Sequence, residues 1–144
     1  MKGQKATSVL DDPIEYNVKV EYIIKPAVLE NLFVSCFEGG YSPWIRQVDL
    51  VSGKQDPRSP VVWWGHPELY ASPFKIKIVY DREQDAEGEG GGAMTINSYR
   101  IRVGLQTLAS EYPHVFKEIV DDNIDALIGD AFVQCCVFGK LVYA

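Results

Sequence analysis

The stretch that most constrains the fold is residues 74–80, FKIKIVY. Phe74, Ile76, Ile78 and Tyr80 alternate with Lys75 and Lys77. A period of two sends apolar side chains to one face and ammonium groups to the other, which is a half-buried strand. The acidic, glycine-rich stretch 81–93 follows and reads as a hairpin tip, with residues 94–96 as the returning strand. The chain is therefore built around an antiparallel pair whose apolar face needs a covering layer.

The covering layer is supplied by helical patterns. Residues 97–111 start at a capping Asn97 or Ser98 and place Ile101, Leu105, Leu108 and Tyr112 at spacings of four, three and four. Pro113 opens a short second helix with Val115, Phe116 and Ile119 apolar. Asp121, Asp122 and Asn123 are expected to cap a last helix over 124–138, ended by Gly139. Residues 141–143 are apolar and are expected to dock on the body.

Earlier in the chain, residues 14–25 (IEYNVKVEYIIK) alternate like a strand, with Ile14, Tyr16, Val18, Val20 and Tyr22 on one face. Pro26 fits the first turn of a helix running to about Glu38, with a broad apolar stripe, and Gly39-Gly40 stops it. Residues 44–51 form a further strand candidate. Prolines at 57, 60, 67 and 73 forbid a long helix across 52–73, yet Val61, Val62, Trp63 and Trp64 are too apolar for a solvated loop. They read as a short strand or a packed cover. The fold class is α+β, a small mainly antiparallel sheet covered by helices with the C-terminal third helical. One domain is expected over 1–144, with residues 1–12 as a polar N-terminal arm.

Charge and cysteine usage narrow the function classes. Of the formal net charge of −6, a net −4 lies in residues 81–92, where five acids face Arg82. The near-neutral remainder excludes an evenly acidic nucleic-acid mimic and a basic nucleic-acid binder, so a polymeric nucleic acid is not the expected partner. Cys36, Cys135 and Cys136 make no C-x-x-C pair and sit in apolar surroundings. They read as buried thiols. No apolar run reaches the roughly 20 residues of a membrane span, and residues 1–12 lack an apolar signal block. A cytosolic protein is expected.

The candidate site gathers around the helix stop at Gly39-Gly40. Backbone can approach a ligand closely at glycine, and aromatic rings offer flat faces. Tyr41, Trp44, Trp63 and Trp64 are the candidates to stack on bases, and Arg46 and His66 to meet phosphate. Glu38 is the candidate acceptor for a base edge or ribose. The competing reading makes the tryptophans core anchors. Adjacent Trp63 and Trp64 cannot face one way on an extended chain, so one of them is expected at the surface or in a subunit interface.

Catalytic and metal chemistry has little to stand on. The alternating acids 81–89 miss an EF-hand, because Ala86 stands where glycine is required and Gly92 where a bidentate Glu belongs. His66 and His114 have no zinc-ligand spacing, and no phosphate loop, dinucleotide fingerprint or nucleophile elbow occurs. Asp121, Asp122, Asp125 and Asp130 could hold a metal; more simply, the first two cap and favour a helix N-terminus. No cofactor and no metal site is expected.

Three segments carry a resemblance. C-F-E-G-G-Y-S-P-W (36–44), G-L-Q-T-L-A-S-E-Y-P-H-V-F (104–116) and G-D-A-F-V-Q-C-C-V-F-G-K-L-V-Y (129–143) resemble a family of small, functionally uncharacterised phage and prophage proteins. In that family a helix ends in an acid and paired glycines before aromatic residues, and the chain closes on a D-x-F-x-Q-x-x-x-F-G-x-x-V-Y helix. The resemblance implies a phage accessory protein in the cytoplasm of an infected bacterium. Proteins of that kind often counter host defence, some by sequestering nucleotide immune signals. The leading expectation is a non-catalytic sponge for a small cyclic or linear nucleotide, working as a homo-oligomer. Second stands a protein-interaction module that inhibits a host protein or serves as a phage structural component; third, a nucleotide-degrading enzyme.

Overall fold

The structure, a computed structural model, describes residues 13–81 and 91–143. The expected polar arm (1–12) and most of the expected acidic tip (82–90) lie outside the described residues. Residues 91–93, expected in the tip, belong instead to the returning strand.

Strands β1 (Ile45–Ser52), β2 (Lys75–Asp81) and β3 (Gly91–Ile96) form an antiparallel sheet in the order β1-β2-β3. Ile76 pairs with Ile96 and Leu50, and Ile78 with Met94 and Val48. This register stacks the apolar residues of all three strands on one face, as the alternation in β2 requires. Tyr80 lies opposite Gly92, and its ring comes so close that a Cβ at Gly92 would sit 2.7 Å from it. The glycine leaves the room that the ring occupies.

Helices α1 (Pro26–Glu38), α3 (Ser98–Glu111), α4 (Pro113–Val120) and α5 (Ala126–Phe138) share one core with that face, with the short α2 (Pro67–Tyr70) beside α1. Helix α5 is buried without a break from Gly129 to Val137. A helix buried all round is a core helix rather than a covering one. It is clasped by α1 on one side and α3 on the other, and both approaches need glycine. A Cβ at Gly129 would meet the Leu32 carbonyl oxygen at 2.7 Å, and one at Gly104 the Cys136 sulfur at 2.5 Å. Phe33 of α1 is the hub of the core, packing its ring against Phe37, Tyr70, Phe74 and Phe132.

The helix ends follow capping physics. Asn97 caps α3 by accepting from Arg100 N–H, and Pro113 opens α4. Gly139 closes α5 in the left-handed conformation at φ 73°. The orphan carbonyls of Cys136 and Val137 accept from Arg100 Nε and Nη2 at 2.7 and 3.0 Å, so a guanidinium from α3 seals the C-terminal end of α5.

Two expectations are corrected and one is narrowed. Residues 14–25, expected as a strand, form no helix or turn and join no strand of the sheet: β1 and β3 each keep an outer edge that this segment does not occupy. Of the two readings of 61–64, the short strand falls and the packed cover stands: residues 63–65 form a 3-10 turn. Rotation about that turn lets Trp63 and Trp64 both reach Phe37, which an extended chain would forbid. The last helix begins at Ala126, capped by Asp125, which accepts from Ile128 N–H; Asp121 and Asp122 instead end α4, Asp122 at φ 61°.

Candidate functional site

The junction of α1 and β1 holds a groove of about 300 Å³. Cys36 and Phe37 from the end of α1, Gly40 and Ser42 from the loop, Arg46 and Gln47 from β1, and Trp64 line it. The helix stops where expected: Gly39 keeps helical angles and Gly40 turns left-handed at φ 78°. Gly39 itself is a packing residue, since a Cβ there would meet Ala126 Cβ at 2.2 Å.

A β-bulge aims the polar side of the groove. Ile45 pairs with Tyr80 and Gln47 with Val79, so Arg46 is an extra residue with no partner opposite. In a regular strand Arg46 and Gln47 would point to opposite faces; the bulge brings both to one groove. Arg46 is held by Asp81 at 3.3 Å, with both side chains at least half-exposed. An exposed pair of this kind contributes about 0–1 kcal/mol. An anion in the groove can therefore take over the guanidinium at little cost. Opposite, Trp64 is fixed by its indole N–H, which donates to Glu38 at 2.7 Å, and by edge contact with Phe37.

The floor is a buried polar chain. Asp130 of α5 accepts from Ser42 Oγ at 2.5 Å and Trp44 Nε1 at 2.7 Å on one oxygen, and from Gln134 Nε2 at 2.7 Å on the other. Ser42 Oγ spends its proton on Asp130, which leaves the Cys36 thiol 3.4 Å away as the donor to Ser42. Gln134 then ties down the C-terminal segment, its carbonyl accepting from the N–H groups of Val142 and Tyr143, both at 2.8 Å. Tyr143 stacks on Trp44 at 5.7 Å and 10° between planes. Asp130, Gln134, Phe138 and Tyr143 of the terminal motif thus build the support for the loop at 42–44.

This places the predicted site residues. Gly40, Arg46 and Trp64 line the groove, and Glu38 positions Trp64. Tyr41 is exposed on the loop beside the groove without lining it. Trp63 packs between Phe37 and Trp64. Trp44 is corrected: it is 3% exposed, and Tyr143 and Phe138 cover its ring, so it offers no stacking face. His66 is corrected too. It is 4% exposed and both ring nitrogens are engaged, Nε2 with the Val61 carbonyl at 3.0 Å and Nδ1 with Glu68 at 3.3 Å. Two acceptors around one imidazole favour the protonated ring, the Val61 carbonyl most, and raise its pKa.

The lining residues Cys36, Phe37, Ser42 and Gln47, and Asp130 beneath, were not expected in the site. Only the paired glycines pointed near them; the bulge and a contact between residues 42 and 130 leave no local signal. The thiols are inert in this setting. Burial pushes Cys36 and Cys135 up to about 12 and Cys136 well above the usual thiol range. Among the described residues no three His, Cys, Asp or Glu side chains gather as a metal site. No described helix is long and apolar enough to cross a membrane.

Comparison with protein-family models, with curated proteins and with solved structures finds no match to this chain.

Proposed function

We propose that the protein is a non-catalytic binder of a small nucleotide, acting as a phage-encoded sponge for a nucleotide immune signal. The observation that carries this reading is the pairing, in one groove, of the indole of Trp64 with the bulge-directed guanidinium of Arg46. An aromatic face takes a base and a guanidinium takes a phosphate. Gln47 and Ser42 add polar groups able to orient a ligand. At about 300 Å³ the groove matches the smallest ligand pockets and suits one nucleotide unit. The phage and anti-defence part rests on the family resemblance. An inert Cys36 and a histidine held away from the groove favour binding over cleavage.

Thermal unfolding against a panel of cyclic and linear nucleotides tests it. A ligand at about 100 times its Kd stabilises the folded state by roughly 2.7 kcal/mol, a shift of several degrees. The expected result is a shift with at least one nucleotide, recovered intact after heat release. A flat panel refutes the reading, and recovery of a cleaved nucleotide replaces it with an enzyme. A flat panel would favour the second reading, a protein-interaction module, which draws on the half-exposed Val61 and Val62 beside Trp63.

A further inference from the structure

Residues 14–24 pose a problem for a single chain. Ile14, Tyr16, Val18, Val20, Tyr22 and Ile23 are between 54% and 86% exposed. Among the described residues, no backbone N–H or C=O of 14–24 has a hydrogen-bonded partner. An alternating apolar segment without helix, turn or bend, whose backbone groups are unpaired, is a strand awaiting a strand. Val18, Val20 and Tyr22 line a groove of about 830 Å³ whose other wall is Ile101, Leu105 and Phe116.

We propose that this segment pairs antiparallel with the same segment of a second copy, centred on Val20, to form a two-stranded ribbon across a twofold axis. The charges select the occupant and the register. Centring on Val20 sets Lys19 opposite Glu21 and Glu15 opposite Lys25, each twice by symmetry. On the apolar face it sets Val20 against Val20, Val18 against Tyr22 and Tyr16 against Ile24. Centring on Val18 instead opposes Glu15 with Glu21, and centring on Lys19 or Glu21 opposes each with itself. Centring on Asn17 keeps Glu15 opposite Lys19 but leaves Ile24 and Lys25 without apolar or charged partners within the segment. Registers that lie between residues oppose apolar with polar side chains. The Val20 register alone pairs all four charges, and it sets Tyr16, Val18, Val20, Tyr22 and Ile24 against apolar partners, leaving only Ile14 of the row beyond the ribbon. The ribbon closes the free edge, and the second copy's Val18, Val20 and Tyr22 cover the groove over Ile101 and Leu105. Each buried tyrosine contributes about 150–250 Å², a large part of the roughly 800 Å² per partner of a standard interface.

Two measurements test this. Sedimentation of the purified chain should show a dimer. Lys19→Glu should weaken it about tenfold by setting like charges opposite at two symmetric places, and Lys19→Glu with Glu21→Lys should restore it. In the proposed register, opposed Cα atoms lie about 4.5–5.5 Å apart, within disulfide reach. Val20→Cys should therefore cross-link two chains under mild oxidation. Val18→Cys should not, because its own copy lies about four residues, roughly 13 Å, along the ribbon. The buried native thiols do not compete. A monomer at about 100 μM, a dimer indifferent to Lys19→Glu, or Val18→Cys cross-linking as well as Val20→Cys each overturns the proposal.

Discussion

Replacing Asp130 measures how much the groove depends on its floor. The two oxygens of Asp130 accept three hydrogen bonds, from Ser42, Trp44 and Gln134. In Asp130→Ala, Trp44 Nε1 loses its acceptor at a site where water has no access, since Trp44 is 3% exposed. A buried donor left unsatisfied costs about 1–3 kcal/mol. Gln134 Nε2 keeps the Tyr143 carbonyl at 3.2 Å, and Ser42 keeps Cys36, so their losses are partial. With the void left by the carboxyl group, the total comes to about 3–4 kcal/mol. Asp130→Asn keeps an oxygen for Ser42 and Trp44 but turns an amide N–H toward Gln134 Nε2, itself a donor. One lost acceptor predicts about 1–2 kcal/mol. Urea unfolding followed by tryptophan emission separates the two. In a parallel thermal melt, at this size, the expected falls in Tm are roughly 10 °C for Ala and about half that for Asn. An alanine variant within about 1 kcal/mol of the wild type, or an asparagine variant no better than alanine, would refute the reasoning.

Three further predictions follow from the packing and titration. His66 should titrate above the ordinary value of about 6.5, read by proton NMR, because Val61 and Glu68 both accept from its charged ring. Its contribution to stability is full below about pH 6.5 and is lost as pH rises through the raised folded value, so His66→Gln should flatten that limb of the stability profile. All three thiols should resist a disulfide reagent at neutral pH in the folded protein and react together in guanidinium, since burial raises each one. Gly129→Ala should destabilise by about 2–3 kcal/mol in the same urea assay, because the new Cβ meets main-chain atoms of α1, Leu32 O at 2.7 Å and Cys36 N at 2.8 Å, that cannot rotate away.

Much of the fold was legible where a single period dominates. Alternation in 74–80 and the caps at Asn97, Pro113 and Gly139 located β2, α3, α4 and the end of α5 within a residue or so. Residues 14–25 alternate equally well, but alternation reports one apolar face and is silent on which edge a strand joins. The site was legible only at the helix stop. Trp44 and Trp64 look alike in sequence, yet Asp130 takes the indole of one into the core and Glu38 holds the other at the groove. Those partners lie 86 and 26 residues away in the chain, beyond any local pattern. Arg46 needed the β1 bulge to face the groove, and that bulge follows from pairing with β2 rather than from the residues of β1 themselves.

The central claim is that Trp64 and Arg46 form a nucleotide groove, and the indole N–H signals of an ¹⁵N-labelled sample test it most directly. With a stabilising nucleotide from the panel added, the Trp64 signal should move on titration, while that of Trp44, locked on Asp130, stays in place. Arg46→Ala should leave the free spectrum otherwise intact and weaken the titration about tenfold or more, as loss of a charge-assisted phosphate contact predicts. A Trp64 signal unmoved by every nucleotide, or a titration indifferent to Arg46→Ala, would contradict the account.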